Sequence, residues 1–96
     1  MDTLTNIVDK YFVEQQWIRS KVNEQNKSNR VYYNSPNKAM NPYDEFIIEY
    51  LPVTNQYNII VPIGSVPYKK TFTDETIMKV ADYIKMHFDY YYKNQM

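Results

Sequence analysis

Two stretches near the middle of the chain alternate apolar and polar side chains with a period of two, and no other feature limits the fold as tightly. Glu45–Leu51 and Tyr57–Ile63 both read as strands. The intervening Pro52-Val53-Thr54-Asn55-Gln56 has the length of a hairpin connection. The faces suggest a register. With Leu51 opposite Asn58, Phe46, Ile48 and Tyr50 share one face with Tyr57, Ile59, Val61 and Ile63. Glu45, Glu49 and Asn58 take the other face, together with Ile47 and Ile60. A slip of one residue would mix glutamate into the apolar set. Pro62 cannot donate to a ladder, which places it at an edge or at the strand's end. A lone hairpin is marginal in water, so other segments must cover it.

Helical periodicity supplies the cover. Leu4, Ile7, Val8, Tyr11, Phe12, Ile18 and Val22 follow i, i+3, i+4 spacing, broken only at Gln15. The spacing predicts a helix over about 3–26, capped by Asp2 or Thr3, with Trp17 off its apolar stripe. A second helix is expected over about 74–92. Thr73 would be its N-cap, Asp74 and Glu75 its first turn, and Phe72 with Ile77 a hydrophobic staple. Its buried stripe is Ile77, Val80, Ala81, Ile84, Phe88 and Tyr91. Residues 28–44 read as a long connection rich in asparagine, serine and proline, with a short strand expected over 30–34. Either Val31–Asn34 supplies a third strand or the sheet continues into a partner chain. The expected fold is therefore one α+β domain over 1–96: a small antiparallel sheet of two or three strands, two helices packed on one face, order α-(β)-β-β-α.

Composition removes most chemistry. The 96 residues contain one glycine, so the phosphate-cradling patterns GxxxxGK[ST] and GxGxxG and the hydrolase elbow GxSxG cannot be written. Without cysteine there is no disulfide, thiol nucleophile or thiolate metal site. Eleven basic and eleven acidic residues balance to zero, which argues against a nucleic-acid or membrane coat. No secretory leader or spanning run is visible, so a soluble, intracellular protein is expected, in host cytoplasm or virion if viral. Ten asparagines beside nine lysines fit an AT-rich coding bias, as in a phage, large DNA virus or low-GC bacterium.

Candidate reactive groups have ordinary structural readings. His87 is the one histidine, at the margin of the second helix's stripe, with Tyr83, Tyr90 and Tyr91 as its helical neighbours. A small enzyme would have to pair it with Glu45 or Glu49. Those glutamates share a strand face and, with Asp44, could bridge a hard cation such as magnesium. Alternating glutamates also simply keep a strand soluble. No catalytic residue, cofactor, metal or small-molecule substrate is assigned.

Basic residues Arg30, Lys38, Lys69 and Lys70 form the alternative site. Helix, three strands, helix resembles, in element order, the double-stranded-RNA-binding domains, and the resemblance implies phosphate contact from a basic helix start. This chain departs from that family's lysine-rich motif, placing Asp74-Glu75 in the last helix's opening turn, and lacks its glycines.

Eleven tyrosines are the positive clue. Tyrosine suits surfaces that are dry at one end and wet at the other. Three consecutive tyrosines, Tyr90–Tyr92, spread over about 200° of a helix, so at least one leaves the core. The expected function is a non-enzymatic protein–protein interaction or structural module, as a homo-oligomer or a small subunit of a larger viral or phage assembly. Its expected contacts are Trp17, Tyr32, Tyr33, Tyr43, Ile47, Ile60, Tyr90 and Tyr92.

Overall fold

The computed structural model describes residues 2–24, 28–36, 44–63 and 66–95. The chain runs α1 (Asp2–Glu14), β1 (Ile18–Glu24), β2 (Ser28–Asn34), β3 (Glu45–Leu51), β4 (Gln56–Ile63), β5 (Val66–Thr73) and α2 (Ile77–Gln95). The strands make one antiparallel sheet, ordered β1-β2-β3-β4-β5, each beside its neighbour in sequence. The α+β class and the two helices on one face match expectation. The strand count does not: the sheet has five strands where two or three were expected.

The helix expected over 3–26 stops at Glu14, and residues 18–24 form β1 instead. The stop is a Schellman motif. Trp17 N donates to Phe12 O at 2.9 Å and Gln16 N to Val13 O at 3.0 Å, closing the last turn. Gln16 lies in the left-handed region at φ 65°, where a right-handed helix cannot continue. The motif's usual apolar contact is present too, with the Trp17 ring edge-on to Phe12 at 5.4 Å. Trp17 is therefore past the helix, not on its outer side, and is buried.

The strand expected over 30–34 is the longer β2, and it pairs on both sides. Ser35 N donates to Asp44 O at 3.0 Å, tying the end of β2 to the start of β3. The β3–β4 hairpin keeps its predicted faces but sits two residues from the expected register, with Leu51 opposite Gln56 and Ile47 opposite Ile60. A shift of two preserves every side-chain direction, so the face pattern could not distinguish the two registers. The tighter pairing is set by the turn Pro52–Asn55, closed by Asn55 N on Pro52 O at 3.4 Å with Asn55 at φ 50°.

β5 was not anticipated, and it shifts the start of the last helix. Thr73 pairs with Gln56 as sheet, and Asp74 is left-handed at φ 55°, so α2 begins at Ile77 rather than 74. The N-cap is Thr76, whose Oγ1 accepts from Lys79 N at 3.3 Å. The expected Phe72–Ile77 staple positions do not apply to this cap.

The core lies between the helices and one sheet face. Leu4, Val8 and Phe12 of α1 and Val80, Ile84 and Phe88 of α2 meet alternate residues of β2–β5: Val31, Tyr33, Phe46, Ile48, Ile59 and Phe72. Each such large apolar side chain contributes roughly 1.5–3 kcal/mol on burial. Two polar ties cross the layers. Tyr33 OH donates to Asp9 Oδ1 at 3.0 Å, and Tyr91 OH donates to buried Asp44 Oδ2 at 2.7 Å.

Gln16 gives the first test. A Cβ at a left-handed position costs about 1–2 kcal/mol, partly offset by the extra freedom glycine gives the unfolded chain. Gln16→Gly should raise stability by roughly 0.5–1 kcal/mol, a few degrees in Tm. Gln16→Ala should leave it unchanged; thermal denaturation of the three proteins decides.

Candidate functional site

β-strands display alternate residues on opposite faces, so the register fixes what lies on the face away from the helices. One cross-strand row there runs Ser20, Tyr32, Ile47, Ile60, Lys69 from β1 to β5. Tyr32, Ile47 and Ile60 are half-buried by their neighbours alone, and among the described residues no helix covers them. Antiparallel sheets with one wet face ordinarily turn polar side chains to it. A tyrosine and two isoleucines side by side on the three central strands depart from that rule.

The adjoining row is polar and internally satisfied. The Arg30 Nε donates to Glu49 Oε2, Asn58 Nδ2 donates to Glu49 Oε1 at 2.8 Å, and Thr71 Oγ1 donates to Asn58 Oδ1 at 2.7 Å. The ladder thus crosses β2, β3, β4 and β5 without interruption. Hydrogen bonds to Glu49 first, and to Tyr32 second, hold Arg30 still more firmly in its charged form. Tyr32 itself lies on the apolar row, beside this ladder. Sequence patterning could not reveal this arrangement, because it needs the partner strand β5.

The other expected interface residues scatter. Trp17 lies edge-on to Phe12, Phe46 and Tyr91 at 5.4–5.5 Å, within the core. Tyr33 is fully buried against Phe12 at 4.0 Å, and burial, then Asp9, pushes its hydroxyl pKa above the ordinary value. Tyr90 is 55% exposed on the outer side of α2, while its neighbour Tyr91 is buried. Tyr43 lies outside the described residues, and so does the side chain of Tyr92. Among the described residues, only Tyr32, Ile47 and Ile60 come together on the outer face.

The basic residues of the alternative site are not assembled either. Arg30 is paired with Glu49. Lys69 and Lys70 project to opposite faces of β5, and the Lys70 ammonium stands over Phe72 and Tyr83 at 5.5 and 5.7 Å. Lys38 lies outside the described residues. Five strands between the helices also differ from the three-strand order on which the resemblance to RNA-binding domains rests.

The carboxylates and His87 have structural surroundings. Glu49 is engaged in the ladder and Asp44 by Tyr91. Among the described residues no group of three histidines, cysteines or carboxylates could hold a metal ion, and no helix is long and apolar enough to cross a membrane. His87 is half-buried beside Tyr83 at 4.5 Å, far along α2 from the sheet's outer face.

Burial lowers the His87 pKa from its ordinary 6.5. The unfolded chain therefore takes up the proton first, so stability is full above about pH 6.5, falls as pH drops below it, and levels off beneath the folded value. The urea midpoint should drop between about pH 7.5 and about pH 5, and drop less in His87→Gln. Equal drops would remove this role. Comparison with known proteins finds no family model, no curated protein and no solved structure that matches the chain.

Proposed function

We propose that this chain is a non-enzymatic protein–protein interaction module that docks its partner on the helix-free face of the sheet. The carrying observation is the contiguous Tyr32–Ile47–Ile60 stripe on the three central strands. A patch of this kind has the make-up of an interface: an apolar centre, an aromatic anchor and a polar border. Its border is the Arg30–Glu49–Asn58–Thr71 ladder, whose charged members already neutralise each other. Covering the ladder would strand no unpaired charge, which is the usual penalty for burying one.

Support also comes from where the remaining aromatic side chains have gone. The core absorbs Trp17, Tyr33, Tyr57 and Tyr91. Tyr32 instead lies half-buried on the outer face, on the side where no core needs it. A partner gains ring area there at modest cost in conformational freedom, since neighbouring strands already half-bury the side chain.

The test compares tagged wild type with Ile60→Lys in extracts of the source cells, identifying retained proteins by mass spectrometry. A specific protein, an untagged copy of this chain included, should be held by wild type and lost from Ile60→Lys. Tyr90→Ser should retain it. The Ile60→Lys fold is checked by its urea midpoint, expected within about 1 kcal/mol of wild type for an outer-face change. Identical sets of proteins on wild type and Ile60→Lys would remove the proposal.

A further inference from the structure

The occupant of the outer face can be argued from the charges on it. Across β2–β5 the formal charges of this face, Arg30, Lys69, Glu45 and Glu49, cancel, so that part of it does not repel a second copy. Two copies related by a two-fold axis are self-complementary only if each residue finds a compatible counterpart. Few axes satisfy this. An axis across the strands along the apolar row would set Lys69 against its own copy and Glu49 against the other chain's Glu45. An axis along β3 would set Glu49 against Glu49. An axis between β2 and β3 would place Ile60 over Ser20, and one along β4 would place Lys69 over Ile47.

An axis parallel to the strands between β3 and β4 avoids all of these. It sets Ile47 on the partner's Ile60, Tyr32 under the partner's Lys69, Glu49 opposite the partner's Asn58 and Arg30 opposite the partner's Thr71, and its one charged mismatch, Glu45 over the partner's Pro62, falls at the strand ends on the rim of the overlap. The lysine stem and ammonium over a tyrosine ring make a favourable cation–π contact. We infer that the chain forms a two-fold dimer by packing this face of its sheet on that of a second copy, about this axis. The inference rests on the proposed use of the face and names its partner.

Side-by-side sheet extension at β5 competes poorly. That edge carries Pro67, Lys69 and Lys70, the residues that blunt an open strand. Face-to-face sheets pack about 10 Å apart with strands within about 30° of each other, which keeps the central rows opposed. Four overlapping strands spaced about 4.8 Å apart, each roughly 23 Å long, give a flat projection of roughly 450 Å² per chain. Two such faces, roughly 900 Å² together, fall below the size of stable interfaces and among weak, transient ones, so self-association in the upper micromolar range is expected.

Sedimentation equilibrium of the purified chain over about 1–300 µM should show a monomer–dimer equilibrium. Ile60→Lys and Ile47→Lys, each with an unchanged urea midpoint, should weaken association at least about tenfold. The chain has no cysteine, so single substitutions report geometry cleanly. A short bis-maleimide should join Tyr32→Cys to Lys69→Cys in a mixture, in excess over Lys69→Cys joined to itself. A monomer at every concentration, a dimer indifferent to both isoleucine changes, or dominant Lys69→Cys self-linkage would each overturn the dimer. A monomer whose cellular partner is still lost on Ile60→Lys leaves the face as a site for another protein; a monomer with no such loss removes both.

Discussion

The ring of Phe12 is where every layer of this molecule meets. It stacks on Tyr33 of β2 at 4.0 Å and meets Phe88 of α2, Phe46 of β3 and Trp17 edge-on at 4.8, 5.2 and 5.4 Å. Edge-to-face and offset contacts of this kind suit the quadrupoles of the rings. Phe12 is also the residue whose carbonyl receives Trp17 N in the turn that ends α1. One residue thus couples the path of the backbone to the packing of the core. Were α1 to run on past Glu14, Trp17 could not close over Phe12, and β1 would have no place beside β2.

Polar contacts then fix how the layers sit. Asp9 accepts from Tyr33 and pairs with Arg19 at 3.2 Å, joining α1 to the two strands nearest it. Asp44 does the same for the far end of α2 through Tyr91. Both carboxylates face donors on elements distant in sequence, so they specify one arrangement of helices over sheet. The outer face is organised differently. Its hydrogen bonds run from strand to strand within the sheet, and among the described residues no second layer lies over its apolar row.

How much of this was readable in the sequence depended on whether a local period had a competitor. The stripe of α2 is a clean 3.6-residue pattern, and Val80, Ala81, Ile84, Phe88 and Tyr91 are all buried as it implies. The hairpin faces were legible for the same reason, although not the register. β1 was hidden because Ile18 and Val22 fall where a continuing helix would place them, and Gln16 stands where glycine would have signalled the end. β5 was hidden because only Phe72 along it is buried, so the apolar alternation had nothing to show beyond Pro67 and two lysines. Of the outer-face row, Ile47 and Ile60 were visible from the hairpin. Their junction with Tyr32 required β2 to be a full strand. The burial of Trp17 and Tyr33 is tertiary and left no sequence period to find.

Asn55 and Asp74 sit far apart in the chain, yet their left-handed backbones are clasped together. Asp74 N donates to Asn55 O at 3.3 Å, and Asn55 Nδ2 donates to Asp74 Oδ1 at 3.1 Å. The clasp holds β5 straight through Thr73 and delays the first helical residue to Ile77. Three residues of helix correspond to about 300° of rotation and about 4.5 Å of rise. The angular phase at which α2 presents its apolar side to the sheet is therefore set outside the helix, by the turn of a hairpin more than twenty residues upstream.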